Sequence, residues 1–328
     1  MRPSGNGTNI SVKTSKSAKP AGAVRVMREA LPVPAGASCP VRIQQPYAHT
    51  YAFRVKPADA GKNLLSFLCE RFPFRDETGW RLRIADGRVQ LNQFPADPIQ
   101  LLCTGDIIQH TNLHVTEPSV PDSVRIVAES PDFLLVEKPA PMPVHPGGRY
   151  NRNCLTEILK ENGYAELHLI HRLDAVTSGL MLLGKNPDFS REASALFRSG
   201  GVEKMYYARV QGLPDWEETS CDQPIGRAKG FRFACLPEGK PARSVFRVMT
   251  RGSANSIVAC EPVTGRTHQL RLHLAWLGHP VSDDLVYQPG NAHRLQNRAI
   301  CLHSAHLRIP ALAVDGSLPV PSDWYENL

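Results

Sequence analysis

Short apolar runs separated by polar turns dominate this chain, and the first packed unit they predict lies between Tyr51 and His114. Leu64, Leu65, Phe67, Leu68 and Phe72 recur at helical spacing, and Trp80 with Ile84 predicts a second short helix. Gly87-Arg88-Val89-Gln90-Leu91-Asn92 then reads as a turn running into a strand. Ile99 to Leu102, the Gly105-Asp106 turn and Ile107-Ile108 predict the rest of a small sheet. Glu117 to Pro121 carries two prolines and no periodicity, which predicts a linker.

A larger domain follows. Phe133-Leu134-Leu135-Val136 is a continuous apolar run, the pattern of a strand covered on both faces. Asn153 is placed to cap a helix through Leu155, Ile158 and Leu159 that stops at Gly163. Ala193, Leu196 and Phe197 predict another helix, ended by Gly200-Gly201. Lys204 to Val210, Ser244 to Val248 and Ile257 to Cys260 read as strands. Leu270, Leu274 and Leu277 give the core face of a last helix.

One segment breaks this pattern. His171-Arg172-Leu173-Asp174-Ala175-Val176-Thr177-Ser178-Gly179 sits between Leu169-Ile170 and Leu180-Met181-Leu182-Leu183, two runs that both read as buried strands. A charged loop at the edge of a sheet is where function concentrates. On local pattern alone, Asp174 is either a functional carboxylate or the cap of the Thr177-Ser178-Gly179 turn. The start of the last helix supplies a counter-charge: Arg266 and Arg271 lie near a helix N-terminus, a setting that receives phosphate or carboxylate. Such a pairing would lower the pKa of Asp174 by roughly 1 to 3 units and suit a nucleophile.

Composition narrows the partners. The 328 residues carry 38 Lys and Arg against 31 Asp and Glu, and a net charge of +7 favours an anionic partner, nucleic acid first. Eight cysteines without a Cys-x-x-Cys pair read as reduced thiols and argue for an intracellular protein; cytoplasm, mitochondrion and nucleus all stay open. No apolar run approaches the ~20 residues of a membrane span. Residues 1–46 hold seven basic residues and one acid, Glu29, and read as a disordered tail serving either as a mitochondrial address or as an RNA-touching arm.

Taken together, the motifs resemble the RluA-type family of RNA pseudouridine synthases. His171-Arg172-Leu173-Asp174 with Thr177-Ser178-Gly179 matches its catalytic motif, Lys204-Met205-Tyr206-Tyr207-Ala208 its tyrosine strand, and Gly265-Arg266-Thr267-His268-Gln269-Leu270-Arg271 its arginine motif. Lys138-Pro139, Val144-His145-Pro146 and Cys301-Leu302-His303-Ser304-Ala305 agree as well, so the resemblance runs from about Ile126 to the C-terminus. The earlier unit resembles the small αL RNA-binding module.

The resemblance implies an α+β chain: a tail over 1–46, an αL-like module over 50–115, and a catalytic domain over 122–328 built on a mixed, largely antiparallel sheet flanked by helices. It implies isomerisation of uridine to pseudouridine without cofactor or metal, on RNA as partner, by a monomer. Asp174 would attack C1′ or C6, Tyr206 would stack on the flipped uracil near the departing C5 proton, and Arg271 would orient Asp174. Arg172, His171, Arg266, Lys204 and Arg88 are the candidate RNA contacts, Arg172 either filling the gap left by the flipped base or meeting a phosphate.

Thr111 to Pro118 and Pro143 to Tyr150 resemble the eukaryotic tRNA-modifying branch, including modification of position 32 of the anticodon loop, with ribosomal and messenger RNA open. Two rival classes remain. A catalytically silent RNA-binding protein would not need Asp174, Tyr206 and Arg271 together, and a metal-dependent hydrolase would need a third ligand beside His171 and His268.

Overall fold

The computed structural model describes residues 25–26, 41–228, 232–288 and 298–328. In the small domain, Tyr47–Arg54 (β1), Val89–Leu91 (β2), Phe94–Pro95 (β3) and Ile107–Val115 (β4) form a sheet in the order β1-β4-β2-β3. Helices Leu64–Arg71 (α1) and Glu77–Ala85 (α2) pack on it. Asn63 and Asp76 cap these helices by accepting the backbone N–H groups of Ser66 and Gly79. Leu64, Leu68, Trp80, Val89 and Ile108 close the core between helices and sheet. Ile99 and Leu101 were expected in the sheet; instead both are exposed, and Leu101 makes a single bridge to Asn63.

The large domain is built on an eleven-stranded sheet. Its labelled strands are Arg125–Glu129 (β5), Phe133–Lys138 (β6), His168–Leu169 (β7), Ser178–Gly184 (β8), Glu203–Gln211 (β9), Glu218–Cys221 (β10), Ser244–Arg251 (β11), Asn255–Pro262 (β12), Leu302–Ile309 (β13) and Val314–Ser317 (β14). The order is β5-β6-β8-β13-β9-β12-β11-β10, with Arg25–Val26 at the β5 edge, β7 on β8 and β14 on β13. Among the described pairs only β8 and β13 run parallel, so the sheet is mixed and largely antiparallel, as expected. Helices Leu155–Glu161 (α3), Pro187–Ser199 (α4) and Gln269–Trp276 (α5) flank it. Gly200, in the left-handed conformation that a side chain disfavours, ends α4 where the sequence placed the stop. Among the described residues no helix is long and apolar enough to cross a membrane.

Three local expectations give way to tertiary contacts. Most of residues 1–46 lies outside the described residues, but Val41–Arg42 pairs with Val120–Pro121. Arg42 grips both carboxylate oxygens of Glu161 at 2.6 and 2.7 Å, so the end of the expected tail is tied down. The expected linker is equally anchored: the Glu117 carboxylate accepts the backbone N–H groups of Asn151, Arg152 and Asn153 and the Tyr47 hydroxyl, which joins the two domains. Asn153 caps no helix. It is wholly buried, accepts from Arg42 and donates to the Pro118 carbonyl.

The parallel junction fixes the route of the Asp174 loop into the sheet. Gly179 has φ +109, and a Cβ there would lie 2.3 Å from the Ser304 carbonyl oxygen on β13. Both constraints demand glycine. Gly179→Ala is therefore expected to cost about 3 kcal/mol or more, because β8 must leave β13 directly beneath the loop. Urea denaturation checks this; an unchanged midpoint would contradict it.

Candidate active site

The loop between β7 and β8 is held from below before its side chains do anything. Lys138 is fully buried, and its Nζ donates to the carbonyls of Met142 at 2.8 Å, Pro139 at 3.0 Å and Ala175 at 3.4 Å. Burial brings its pKa down to about 7, with Asp174 opposing. The Met142 N–H meets the Ala175 carbonyl at 2.7 Å, and the Ile300 N–H meets that of Val176. The run ahead of the loop is not the expected buried strand: β7 spans two residues, and Leu169 is exposed.

Asp174 then projects into a cleft of about 590 Å³. The turn-capping alternative fails on geometry. The Thr177 N–H goes to the main-chain carbonyl of Asp174, whereas the carboxylate Oδ2 accepts from Arg271 Nη1 at 3.0 Å. Arg271, in the first turn of α5, also holds Asp284 in a two-pronged pair, Nε to Oδ2 at 2.7 Å and Nη2 to Oδ1 at 2.9 Å. Burial alone would depress the guanidinium; Asp284 and then Asp174 more than offset it and raise its pKa. The Tyr287 ring lies 4.9 Å from the guanidinium carbon.

One cation thus serves two carboxylates. Asp284 is 1% exposed and takes two hydrogen bonds from Arg271 and a third from the Val286 N–H; Asp174 is 20% exposed and takes one from Arg271. The uncompensated negative charge therefore falls on the carboxylate that faces the cleft.

Tyr206, on β9, lines the same cleft, where a register shift between Met205 and Tyr206 re-aims the strand. Burial pushes its pKa up to about 12, a Ser304 hydrogen bond lowering it and Asp174 raising it. At neutral pH the ring carries its proton and cannot serve as a phenolate base. Tyr207, its neighbour, packs in the core beneath and does not line the cleft.

The candidate RNA contacts divide. Arg172, Arg266 and Lys204 line the cleft, with Arg198, which the sequence reading missed, beside them. Arg266 donates Nε to the Pro241 carbonyl and so is not the partner of Asp174. Arg88 sits in the small domain, paired with Asp86, and does not line the cleft. His171 also lines the cleft, with one ring nitrogen and one ring face engaged by the protein itself. Its Nε2 accepts the Leu182 N–H at 2.9 Å, and its ring lies flat against Phe197 at 4.5 Å.

Desolvation pushes the His171 pKa down to about 3 from 6.5. Between those values the unfolded chain binds a proton that the native ring refuses, so stability falls as pH falls. At pH 5 this one group should cost up to about 2 kcal/mol relative to pH 7. Denaturation of the wild type and of His171→Gln at both pH values tests this, and the variant should lose less.

Asp284 and Tyr287 complete the site without having been singled out, and Lys138 and Ser304, noted only within matching motifs, take structural places in it. His268, from the arginine motif, also lines the cleft, with Nε2 3.7 Å from Asp174 Oδ2.

Known proteins carry the same domain. A family model described as RNA pseudouridylate synthase matches residues 132–276. Human pseudouridylate synthase RPUSD2 is 34% identical over 251 residues, 75% of this chain, which spans 46% of that protein. The Saccharomyces cerevisiae tRNA pseudouridine(31) synthase is 31% identical over 292 residues, 75% of this chain and 72% of its own length. The solved human RNA pseudouridylate synthase domain containing 1 superposes with a TM-score of 0.54 at 28% identity, covering 62% of this chain and 86% of its own. With that yeast relative matched over most of its length and a similar fold in a solved relative, the chain belongs to the RNA pseudouridylate synthase family.

Proposed function

We propose that this protein converts uridine to pseudouridine in RNA, with Asp174 as nucleophile. The observation that carries the reading is the shared grip of Arg271 on buried Asp284 and cleft-facing Asp174, which aims one carboxylate into a cleft lined by Arg172, Arg198, Lys204 and Arg266. The isomerisation breaks the bond from C1′ to N1 and joins C1′ to C5, so the C5 proton leaves and N1 gains one. It needs neither redox change nor energy input. Asp174 attacks C1′ or C6, Tyr206 stacks on the uracil with its hydroxyl protonated, and Arg271 keeps the carboxylate aimed. Arg172, exposed at the cleft, enters the gap left by the flipped base or meets a phosphate.

The substrate in this reading is tRNA. The yeast relative's name places its product at tRNA position 31, next to the position 32 expected from the sequence. Mapping pseudouridines in total RNA with and without the protein tests the assignment. New pseudouridine in the anticodon loop supports it, and new sites confined to ribosomal or messenger RNA would redirect it.

The small domain is proposed to bind the RNA backbone. Arg75, Arg83 and Arg88 all act on His110, whose pKa burial and then these charges lower to about 4. Arg75 Nε, Arg83 Nε and His110 Nε2 have no hydrogen-bond partner among the described residues. The guanidinium charge attracts phosphate, although these Nε atoms are themselves buried. Replacing Arg75 and Arg83 with Ala should weaken RNA binding and flatten the log K against log salt slope by about 1 for each phosphate no longer neutralised. An unchanged slope would remove the small domain from the interface.

A further inference from the structure

His268 occupies a strained position that helix capping does not explain. It precedes α5 at φ 57, the left-handed region, and its side chain makes no cap hydrogen bond. The ring instead enters the cleft. Phe233 and Tyr287 meet it edge-on at 5.8 and 5.6 Å and fix its plane.

His268 Nδ1 lies 2.6 Å from the Tyr287 hydroxyl oxygen. Burial pushes the Tyr287 pKa up to about 12, so at neutral pH that oxygen carries a proton it can donate to the ring. An Nδ1 that accepts must have its proton on Nε2. Nε2 faces Asp174 Oδ2 at 3.7 Å, the oxygen that Arg271 also holds. That spacing is an electrostatic contact rather than a hydrogen bond, as is common in sites without substrate.

We infer that Tyr287 locks His268 as the Nε2–H tautomer behind the nucleophile, so that His268 and Arg271 together hold Oδ2 and Oδ1 is the attacking oxygen. His268 and Tyr287 are positioning residues in this scheme, which rests on Asp174 being the nucleophile. Burial keeps the imidazole below its usual range, with Arg271 and Arg172 pushing the same way against Asp174 and Asp284. A neutral ring donating to Oδ2 steadies the carboxylate both before attack and when it departs.

Two amide variants separate the ring's halves. Gln places a donor where Nε2 stands, and Asn places an acceptor where Nδ1 stands while also tolerating the left-handed backbone. His268→Gln should therefore stay within about threefold of wild type in single-turnover rate, while His268→Asn should fall by about tenfold or more with RNA Kd unchanged. Equal rates, or a faster Asn variant, would overturn the inference.

Long-range 1H–15N spectra of histidine-labelled protein, assigned with His268→Gln, read the tautomer without substrate. Nε2–H at pH 7 is expected, with Tyr287→Phe releasing it to a mixture; Nδ1–H in the wild type would overturn the lock. Because this is read on the protein alone, an inactive wild type would overturn the role of Asp174 while leaving the tautomer result standing.

Discussion

Asp174→Asn is expected to abolish pseudouridine formation while leaving RNA binding nearly intact. The substitution conserves volume, and the amide oxygen can still accept from Arg271, so the loop anchored by Lys138 and Gly179 keeps its place. What disappears is the negative oxygen. An amide is no nucleophile toward C1′ or C6, and the fall in single-turnover rate should be on the order of 10⁴ or more, as when a covalent nucleophile is removed. In the proposed reading the basic rim and the small domain carry the RNA affinity, so Kd should move by less than about threefold. Product from the variant at a tenth of the wild-type rate would sink the covalent mechanism.

Arg271 should be the second most sensitive position, through stability as well as rate. Its guanidinium is 3% exposed and bridges Asp174 and Asp284, the latter 1% exposed. Removing it strands a buried carboxylate, which typically costs 3 to 5 kcal/mol, so Arg271→Ala should cost about that much. Arg271→Lys keeps the charge, but a single ammonium cannot make the fork to Asp284 and still reach Asp174, so activity should fall by at least about 10²-fold. The double variant Arg271→Met with Asp284→Asn separates the two effects, because neutralising the stranded partner should recover most of the stability and none of the activity. Denaturation midpoints and single-turnover rates check this, and recovered activity in the double variant would remove Arg271 from the proposed mechanism.

The parts of the site legible in the sequence are those whose signal is local. The Asp174 loop interrupts an apolar pattern, Tyr206 alternates along a strand, and Arg271 falls in the first turn of a helix. The structure brings Asp174 and Arg271 to 3.0 Å across 97 residues of chain. Asp284 carried no comparable signal. It reaches Arg271 only because the chain reverses after α5 through Gly278 at φ +85, a turn whose direction depends on packing against β9. Asn153 looked like a cap because capping residues are read by type; the contacts of Arg42 and Pro118 decided its role. The protein partners of His171 were illegible for the same reason, since only the fold places Phe197 and the Leu182 amide around its ring. The tail's end and the linker were read from composition, which does not register that Arg42 meets Glu161 or that Glu117 meets three successive amides.

Release of tritium from RNA labelled at uridine C5 tests the central claim most directly, because joining C1′ to C5 expels that hydrogen whichever atom Asp174 attacks. Wild-type protein acting on labelled tRNA should release tritium one-for-one with pseudouridine formed, and Asp174→Asn should release none above background. No release by the wild type from tRNA or from total RNA, or equal release by the variant, would contradict the account.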